Sequence, residues 1–232
     1  AKAQEIKFQD QNGEVVYAWT TSWGVSTRLI GALIMTHSDD DGLVMPPRLA
    51  PYQVVILPIT KGEDTSAVMN FADKLAAQLK ALGVRVQIDR SDARAPDKMW
   101  AAIKRGVPIR VEIGDREVAE GKLTHTRRDL GRESKTTCSA DEFIGTVQGI
   151  LDSIHTTMYD RAFAKTRARV YNATTLDQLK SYFSEGELGF VRAPVALLDH
   201  PDYQAFKKDN SLSSRCLPFE DEGRMVLIGK SY

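Results

Sequence analysis

Residues 52–59, YQVVILPI, decide the fold of this chain. Apolar side chains occupy nearly every position of the run, which is typical of a parallel strand covered by helices on both faces. The next segment, 66–82, has apolar residues at helical spacing and ends before Gly83, a residue type that favours the end of a helix. A buried strand followed by an amphipathic helix predicts the first unit of an α/β domain.

The alternation of strand and helix patterns continues downstream. Four segments carry it: strands at 84–89, 107–113 and 122–128, and a helix at 96–105. Ser139 and Glu142 then form a capping box that predicts the start of a long helix. Its core face consists of Phe143, Val147, Ile150, Ile154 and Met158. The order β-α-β-α-β-β-α, with a turn near Gly114, predicts a three-layer α/β domain with a mostly parallel sheet over residues 49–160.

Upstream of this unit, residues 14–22 alternate apolar and polar side chains and predict a strand. The chain has no initial Met and enters this strand almost at once, so we expect the strand to pair with a segment absent from the sequence or to form a sheet edge. We therefore expect the sequence to start inside a longer protein. The proline-rich stretch 38–51 predicts a domain boundary, which gives a first domain at 1–48.

Between these segments, residues 29–37 are apolar at nearly every position and predict a helix buried nearly all round, with Ser26 or Thr27 as its N-cap. Arg28 falls in the first turn, where the partial positive charge of the helix disfavours a cation. Two interpretations follow from the residues alone. An anion such as a phosphate binds there, or Arg28 is a surface residue paired with a neighbouring carboxylate.

Beyond about residue 171 the patterns are shorter. A short helix is followed by three strand-like pieces, GFVRAPVALL (189–198), RCLPF (215–219) and RMVLIGKSY (224–232). They predict a small α+β domain at 161–232.

Composition restricts the function classes further. Lys plus Arg and Asp plus Glu are both 31, so the net charge is zero and no global field favours nucleic acid. The longest apolar runs are too short to cross a bilayer, so we expect no membrane partner. Two cysteines give no disulfide framework, which predicts a cytoplasmic protein.

A resemblance to a known family appears in the run SWGVSTRLIGALIMTHSDDDGLVMPPRLAPYQVVILPI, residues 22–59. It resembles the third signature motif of class II aminoacyl-tRNA synthetases in the version of the prolyl-tRNA synthetase family. The resemblance implies that residues 1–48 are the end of an antiparallel-sheet catalytic domain. It also implies that Arg28 is catalytic and binds ATP with Ser26 and Thr27, that Trp23, Gly24 and Thr27 border the proline pocket, and that ATP and Mg²⁺ are the cofactors.

A second resemblance lies in residues 106–129, GVPIRVEIGDREVAEGKLTHTRRD, which are similar to the anticodon-binding pattern of the same family. The sequence departs from that pattern at Asp115, where the family has Pro, and at Glu117, where it has Asp. The surrounding segment 94–135 has eleven cationic and seven acidic residues, which fits either a phosphate-binding patch or a solvated mixed-charge surface. The resemblance implies one set of tRNA-binding residues: Lys98 at a phosphate, and Glu112, Arg116, Arg127, Arg128 and Asp129 at anticodon bases.

The tail pieces GFVRAP, RCLPF and GKSY resemble the C-terminal domain of archaeal- and eukaryote-like prolyl enzymes, which in many relatives holds zinc with four cysteines. Cys216 is alone here and Cys138 belongs to another predicted domain, so we predict no zinc and no other metal site. Packing should replace the metal, with a predicted core of Phe190, Leu197, Leu198, Phe206, Leu217 and Phe219. The resemblance also implies that Tyr232 turns back towards the catalytic domain.

Together the resemblances imply ligation of proline to its tRNA through an ATP-dependent prolyl-adenylate. The expected partners are the tRNA for proline, a second subunit in a homodimer, and a missing N-terminal catalytic part without which the chain is inactive. The threonyl, glycyl and histidyl enzymes share a similar anticodon domain, but the C-terminal tail argues against them. The alternative is a catalytically dead tRNA- or protein-binding module derived from a synthetase.

Overall fold

The computed structural model describes residues 1–60, 65–186 and 188–230. In chain order the helices are α1 Arg28–His37, α2 Ser66–Ala81, α3 Ala95–Lys104, α4 Asp115–Glu120, α5 Ala140–Arg167, α6 Leu176–Ser184 and α7 Pro201–Asp209. The strands are β1 Lys7–Gln9, β2 Val15–Tyr17, β3 Val54–Ile59, β4 Val86–Ile88, β5 Ile109–Gly114, β6 Lys122–Arg127, β7 Thr136–Ser139, β8 Val170–Asn172, β9 Phe190–Pro194, β10 Leu212–Cys216 and β11 Met225–Lys230.

The central unit is built on a five-stranded sheet with the order β4-β3-β5-β6-β7. β3 pairs in parallel with β4 and β5, whereas β6 is antiparallel to both β5 and β7. Four strands therefore share one direction and β6 opposes them. Where a turn was predicted near Gly114, the short helix α4 follows β5 directly, because the Glu117 carboxylate accepts a hydrogen bond from the Gly114 amide at 3.1 Å and closes the first turn.

Helices cover this sheet on both faces. On one face the apolar side chains of α2 and α5, with Phe143 and Leu79 among them, pack on alternating strand residues such as Ile56, Val111 and Leu123. On the other face α3 packs on β3 in a smaller cluster of Val55, Leu57, Met99, Ala102 and Val107. α5 runs through residues 160 and 161, where a domain boundary was predicted, and this boundary remains a prediction.

The N-terminal segment differs from expectation in two ways. The strand predicted at 14–22 spans only Val15–Tyr17, and it forms an antiparallel hairpin with β1, so among the described residues it is a sheet edge, one of the two positions expected for it. α1, predicted to be buried nearly all round, has no buried residue, and its apolar side chains Leu29, Ile30, Ile34 and Met35 are exposed. An apolar pattern predicts that a helix face will pack against another element, but it does not show that such an element is present.

The C-terminal segment forms a four-stranded sheet, β10-β11-β9-β8, packed on α6 and α7. Its core contains Leu179, Phe183, Val191, Tyr203 and Ile228. The predicted core residues Leu217 and Phe219 are exposed, because the RCLPF segment leaves the sheet after Cys216. Leu197, Leu198 and Phe206 do pack against this core. The prediction for Tyr232 lies outside the described residues.

Candidate nucleic-acid interface

One face of the central sheet is only partly covered. α3 packs on β3, and the neighbouring strands β5 and β6 present polar side chains on that face. Alternation along β5 places Val111 in the core beneath α2 and α5, and it places Arg110 and Glu112 on the opposite face. The antiparallel register sets these two residues opposite Thr126 and Thr124 of β6. A row of polar groups therefore crosses the sheet beside α3.

Glu112 is held from two sides. The Nε of Arg110 donates to its Oε1 at 3.1 Å, and the Nζ of Lys135 donates to its Oε2 at 3.0 Å. Arg110 and Glu112 are almost buried, whereas about half of the Lys135 side chain is exposed. The arrangement gives a fixed carboxylate with cationic donors on both flanks. Each group limits the other's rotamers, which is how recognition groups are preorganised.

A cavity of about 460 Å³ lies against this cluster. Its walls combine cations, which include Arg110, Arg132 and Lys135, with the apolar surface of α3 at Met99 and Trp100. The Trp100 indole is 44 % exposed and gives the cavity an aromatic surface. Of the cations lining it, Arg132 forms no ion pair with a described residue.

Of the six predicted tRNA-binding residues, Lys98, Glu112 and Arg116 lie towards the carboxyl ends of the parallel strands. Lys98 is buried and donates through Nζ to the Pro58 carbonyl at 3.3 Å. Arg116 is exposed on α4, 3.8 Å from Glu120. Ligands of open α/β sheets commonly bind at this edge.

Arg127, Arg128 and Asp129 lie at the opposite end, where β6 pairs with the start of β5. The guanidinium of Arg127 donates twice to Asp129, at 3.1 and 2.8 Å, and the Asp129 side chain is fully buried. Arg128 is also nearly buried, and it donates to Asp39 in the loop after α1. The structure thus does not bring all six residues together, and these three already have partners inside the chain.

The residues predicted at the ATP and proline sites lie around the first turn of α1. Thr27 is the N-cap, with no hydrogen bond from its side chain. Ser26, Thr27 and Arg28 are exposed, as is Trp23, and a side chain at Gly24 would meet open space. Within the described residues, Arg28 has neither an ion pair nor a hydrogen bond through its side chain. The carboxylate partner that would make it an ordinary surface residue is therefore not found in that part of the chain.

Sequence reasoning missed Trp100, Arg110 and Lys135 as functional candidates. Arg110 could have been found, because it is two residues before Glu112 on a predicted strand and so shares its face. Trp100 and Lys135 come from other elements, and only the tertiary structure places them there. Buried His125 packs on Phe143 with 5.1 Å between ring centroids, and burial lowers its pKa.

In residues 1–60, 65–186 and 188–230, no group of three or more His, Cys, Asp or Glu side chains could hold a metal ion. The prediction that zinc is absent stays a prediction. In those ranges no helix has the length and apolar character needed to cross a membrane.

Comparisons with known proteins agree on one family. Residues 53–150 match the family model described as the anticodon binding domain. A proline--tRNA ligase of Bdellovibrio bacteriovorus is 40 % identical over 99 % of this chain and 48 % of its own length. That of Chloroherpeton thalassium is 43 % identical over 94 % of this chain and 44 % of its own length. The chain therefore spans about half the length of the curated relatives it matches.

A solved structure gives the same result. The prolyl-tRNA synthetase from Cryptosporidium parvum, complexed with L-proline and AMP, superposes on the whole chain with a TM-score of 0.81. The two sequences are 28 % identical, and the match covers 52 % of that protein. Over its full length, the chain is thus similar to proline--tRNA ligases, and the match covers about half of their length.

Proposed function

We propose that the chain is part of a proline--tRNA ligase and supplies the tRNA-binding half of its activity. Full-length similarity to proline--tRNA ligases and the anticodon-binding match at residues 53–150 support this role. The single observation that carries it is the Arg110–Glu112–Lys135 cluster on the partly covered sheet face beside Trp100. The proposal includes the homodimer and the cytoplasmic location of a synthetase.

The cluster suits single-stranded RNA bases. A carboxylate accepts hydrogen bonds from the ring N–H and the amino group of guanine, and Arg or Lys donates to its O6 and N7. Bases also stack on exposed indole rings, as they could on Trp100. The proline anticodon contains two adjacent guanines, so Glu112 with its flanking cations is our proposed guanine reader.

The other predicted tRNA contacts have different surroundings. Exposed Arg116 can reach a phosphate without losing a strong partner. Lys98 can do so only by exchanging its bond to the Pro58 carbonyl. Arg127, Arg128 and Asp129 line or adjoin the other end of the cavity, and their role as anticodon readers stays a prediction.

The contribution to catalysis would come from α1. The free N–H groups of its first turn, the hydroxyls of Ser26 and Thr27, and the Arg28 guanidinium together fit the phosphates of ATP. Trp23 and Gly24 would border the proline pocket. No Asp or Glu occurs between residues 18 and 36, so a Mg²⁺ ion would rely on the phosphates and on other parts of the enzyme.

In this role Arg28 neutralises charge on the phosphates while the proline carboxylate attacks the α-phosphorus to form prolyl-adenylate. The second step transfers proline to the terminal ribose of the tRNA. Because Arg28 is the cation proposed for the phosphates and has no ion pair among the described residues, we propose that the 232 residues alone do not catalyse proline-dependent ATP–pyrophosphate exchange. The alternative, a binding module without catalysis, differs in one respect: the full-length protein would also lack this exchange.

Binding of a proline tRNA transcript to the chain tests the RNA-binding part. Lys135→Ala and Trp100→Ala should each raise the Kd by about 5- to 150-fold, since a charged base contact or a stacked base contributes about 1–3 kcal/mol. Lys122→Ala is the matched control, because Lys122 is also a half-exposed lysine paired with a glutamate, Glu120, but lies outside the cavity. Its Kd should stay within about twofold.

Exchanging the two anticodon guanines should weaken binding to the wild-type chain as much as Lys135→Ala does, and it should have little further effect on that variant. Equal binding of both transcripts would refute the assignment of Glu112 and its flanking cations as readers.

A further inference from the structure

The loop after α1, residues 39–45, is tightly joined to the central unit. Its main chain bonds to the turn after α3, where the Leu43 amide donates to the Lys104 carbonyl and the Met45 amide to the Gly106 carbonyl, both at 3.1 Å. The two backbones approach too closely for side chains. A Cβ at Gly42 would lie 2.8 Å from the Lys104 Cα, and one at Gly106 would lie 2.5 Å from the Leu43 carbonyl oxygen.

Arg128 adds side-chain hydrogen bonds to this contact between the 39–45 loop and the C-terminal end of α3, which we call the joint. Its guanidinium donates to both carboxylate oxygens of Asp39, at 2.7 and 2.5 Å, and to the Gly42 carbonyl at 3.3 Å. A further bond at 3.1 Å reaches the carbonyl of Ile103 in α3. With 7 % of its side chain exposed, Arg128 has its donors directed at the 39–45 loop and α3. The hydrogen-bonded guanidinium also keeps the pKa of the Asp39 carboxyl below its usual value.

The joint lies between the two proposed sites. On one side, Ile103, Arg128 and Trp100 line the cavity proposed to bind anticodon bases. On the other side, Asp39 follows α1 by two residues, and the ten residues of α1 extend about 15 Å to Arg28. α1 is otherwise largely exposed, with contacts to α5 near its C-terminal end. Within the described residues, α1 is therefore held at its C-terminal end, by this joint and by α5.

We propose that Arg128 and Asp39 form a positioning pair that orients α1, and hence Arg28, relative to the anticodon-binding sheet. In this role Arg128 does not contact the anticodon. A base that took its guanidinium would have to displace a bidentate carboxylate and two carbonyls, and it would leave Asp39 without its partner. The inference rests on the proposed function, because it assigns the pair to the ATP site.

Kinetics of the full-length enzyme test the pair. Asp39→Asn and Arg128→Lys should each raise the KM for ATP in proline-dependent exchange about 5- to 20-fold, because bidentate geometry is lost in both. The double variant should be no worse than either single variant, since one interaction is removed. The Kd for tRNA should stay within about twofold, and Asp40→Asn, an exposed neighbour, should match the wild type.

A weaker tRNA affinity in Arg128→Lys, with normal exchange and no effect of Asp39→Asn, would overturn the proposal and make Arg128 a reader. If the wild-type full-length protein showed neither proline-dependent exchange nor tRNA binding, the proposed function itself would be refuted. A measurement on the 232-residue chain separates the two questions, because it needs no activity.

For that measurement, nitroxide labels are placed at Ser26→Cys before α1 and Lys80→Cys on α2, in a background with Cys138→Ser and Cys216→Ser. Both labelled positions are exposed. Pulsed electron resonance should give a narrow distance distribution that broadens at least twofold in width in Asp39→Asn and not in Asp40→Asn. An unchanged width in Asp39→Asn would refute the positioning role whatever the enzyme assays show.

Discussion

Two apolar runs of similar length have opposite surroundings in this molecule. The VVILPI run of β3 is almost entirely inaccessible, with Val54 and Ile56 at 0 % exposure. The LIGALIM run of α1 is open, with Leu29, Ile30 and Met35 between 59 and 70 % exposed. β3 has a sheet neighbour on each side and helices on both faces, whereas α1 meets few described residues. Sequence pattern therefore specifies which face needs cover, and the covering element determines burial.

The largest effect should come from the same substitution made in each run. Ile56→Ala should lower the free energy of unfolding of the central unit by about 2–5 kcal/mol, because it leaves a cavity in a closed core. Ile30→Ala should change it by less than about 0.5 kcal/mol, since the side chain is exposed and Ala favours helix. Hydrogen exchange of the β5 amides measures both. A large cost for Ile30→Ala would show that α1 is covered in solution.

Glycine substitutions compare the joint with an ordinary turn. Gly106 and Gly83 both have positive φ, +69° and +78°, so an added Cβ is strained at either site. At Gly83 the Cβ would meet open space, whereas at Gly106 it would collide with the Leu43 backbone. Gly106→Ala should therefore cost about 1–3 kcal/mol more than Gly83→Ala in urea unfolding. Equal costs would contradict a close joint between the 39–45 loop and α3.

Buried His125 should make the central unit sensitive to acid. Burial lowers its pKa below the ordinary 6.5, although the nearby Glu142 acts in the other direction. The unfolded state then binds more protons as the pH falls below about 6.5, so stability is lost on acidification, by at most about 1.4 kcal/mol per pH unit. His125→Leu should flatten this slope between pH 6.5 and 5.5. Unfolding midpoints at several pH values measure it, and an unchanged slope would exclude His125 as the cause.

The α/β unit was predictable because its core repeats a local rule. Alternating apolar residues in β5 and helical spacing in α2 and α5 each mark one face, and each face finds its cover within the chain. α4 was missed because a six-residue helix has too little periodicity to distinguish it from a turn. The hairpin partner of β2, the exposure of α1 and the exposure of Phe219 depend on contacts that local spacing does not encode.

The residues of the candidate site also fall into two groups, those that local sequence predicts and those that only tertiary contacts bring in. Glu112 was predicted from a motif, and strand alternation would have added Arg110. Lys135, just before β7, binds the Glu112 carboxylate, and Trp100 of α3 lines the cavity beside it. Only the tertiary packing of these elements on β5 and β6 brings the two residues close to Glu112. Arg127 and Asp129, adjacent to that motif in sequence, bind each other, whereas the further partner of Arg127, Ser153, and the Arg128 partners Asp39 and Ile103 are 25 or more residues away along the chain.

The smallest effect on stability should come from substituting Arg116, because an exposed side chain of the central unit should contribute as little to the free energy of unfolding as an exposed side chain of α1. The Arg116 side chain is 81 % exposed and 3.8 Å from Glu120, a weak surface pair. Arg116→Ala should thus change the free energy of unfolding by less than about 0.5 kcal/mol. If Arg116 contacts a phosphate, the same variant should weaken tRNA binding severalfold and reduce the salt dependence of log Kd by about one unit. Titrations at several salt concentrations separate these results, since a change in stability with no change in the salt slope would make Arg116 a structural residue of α4.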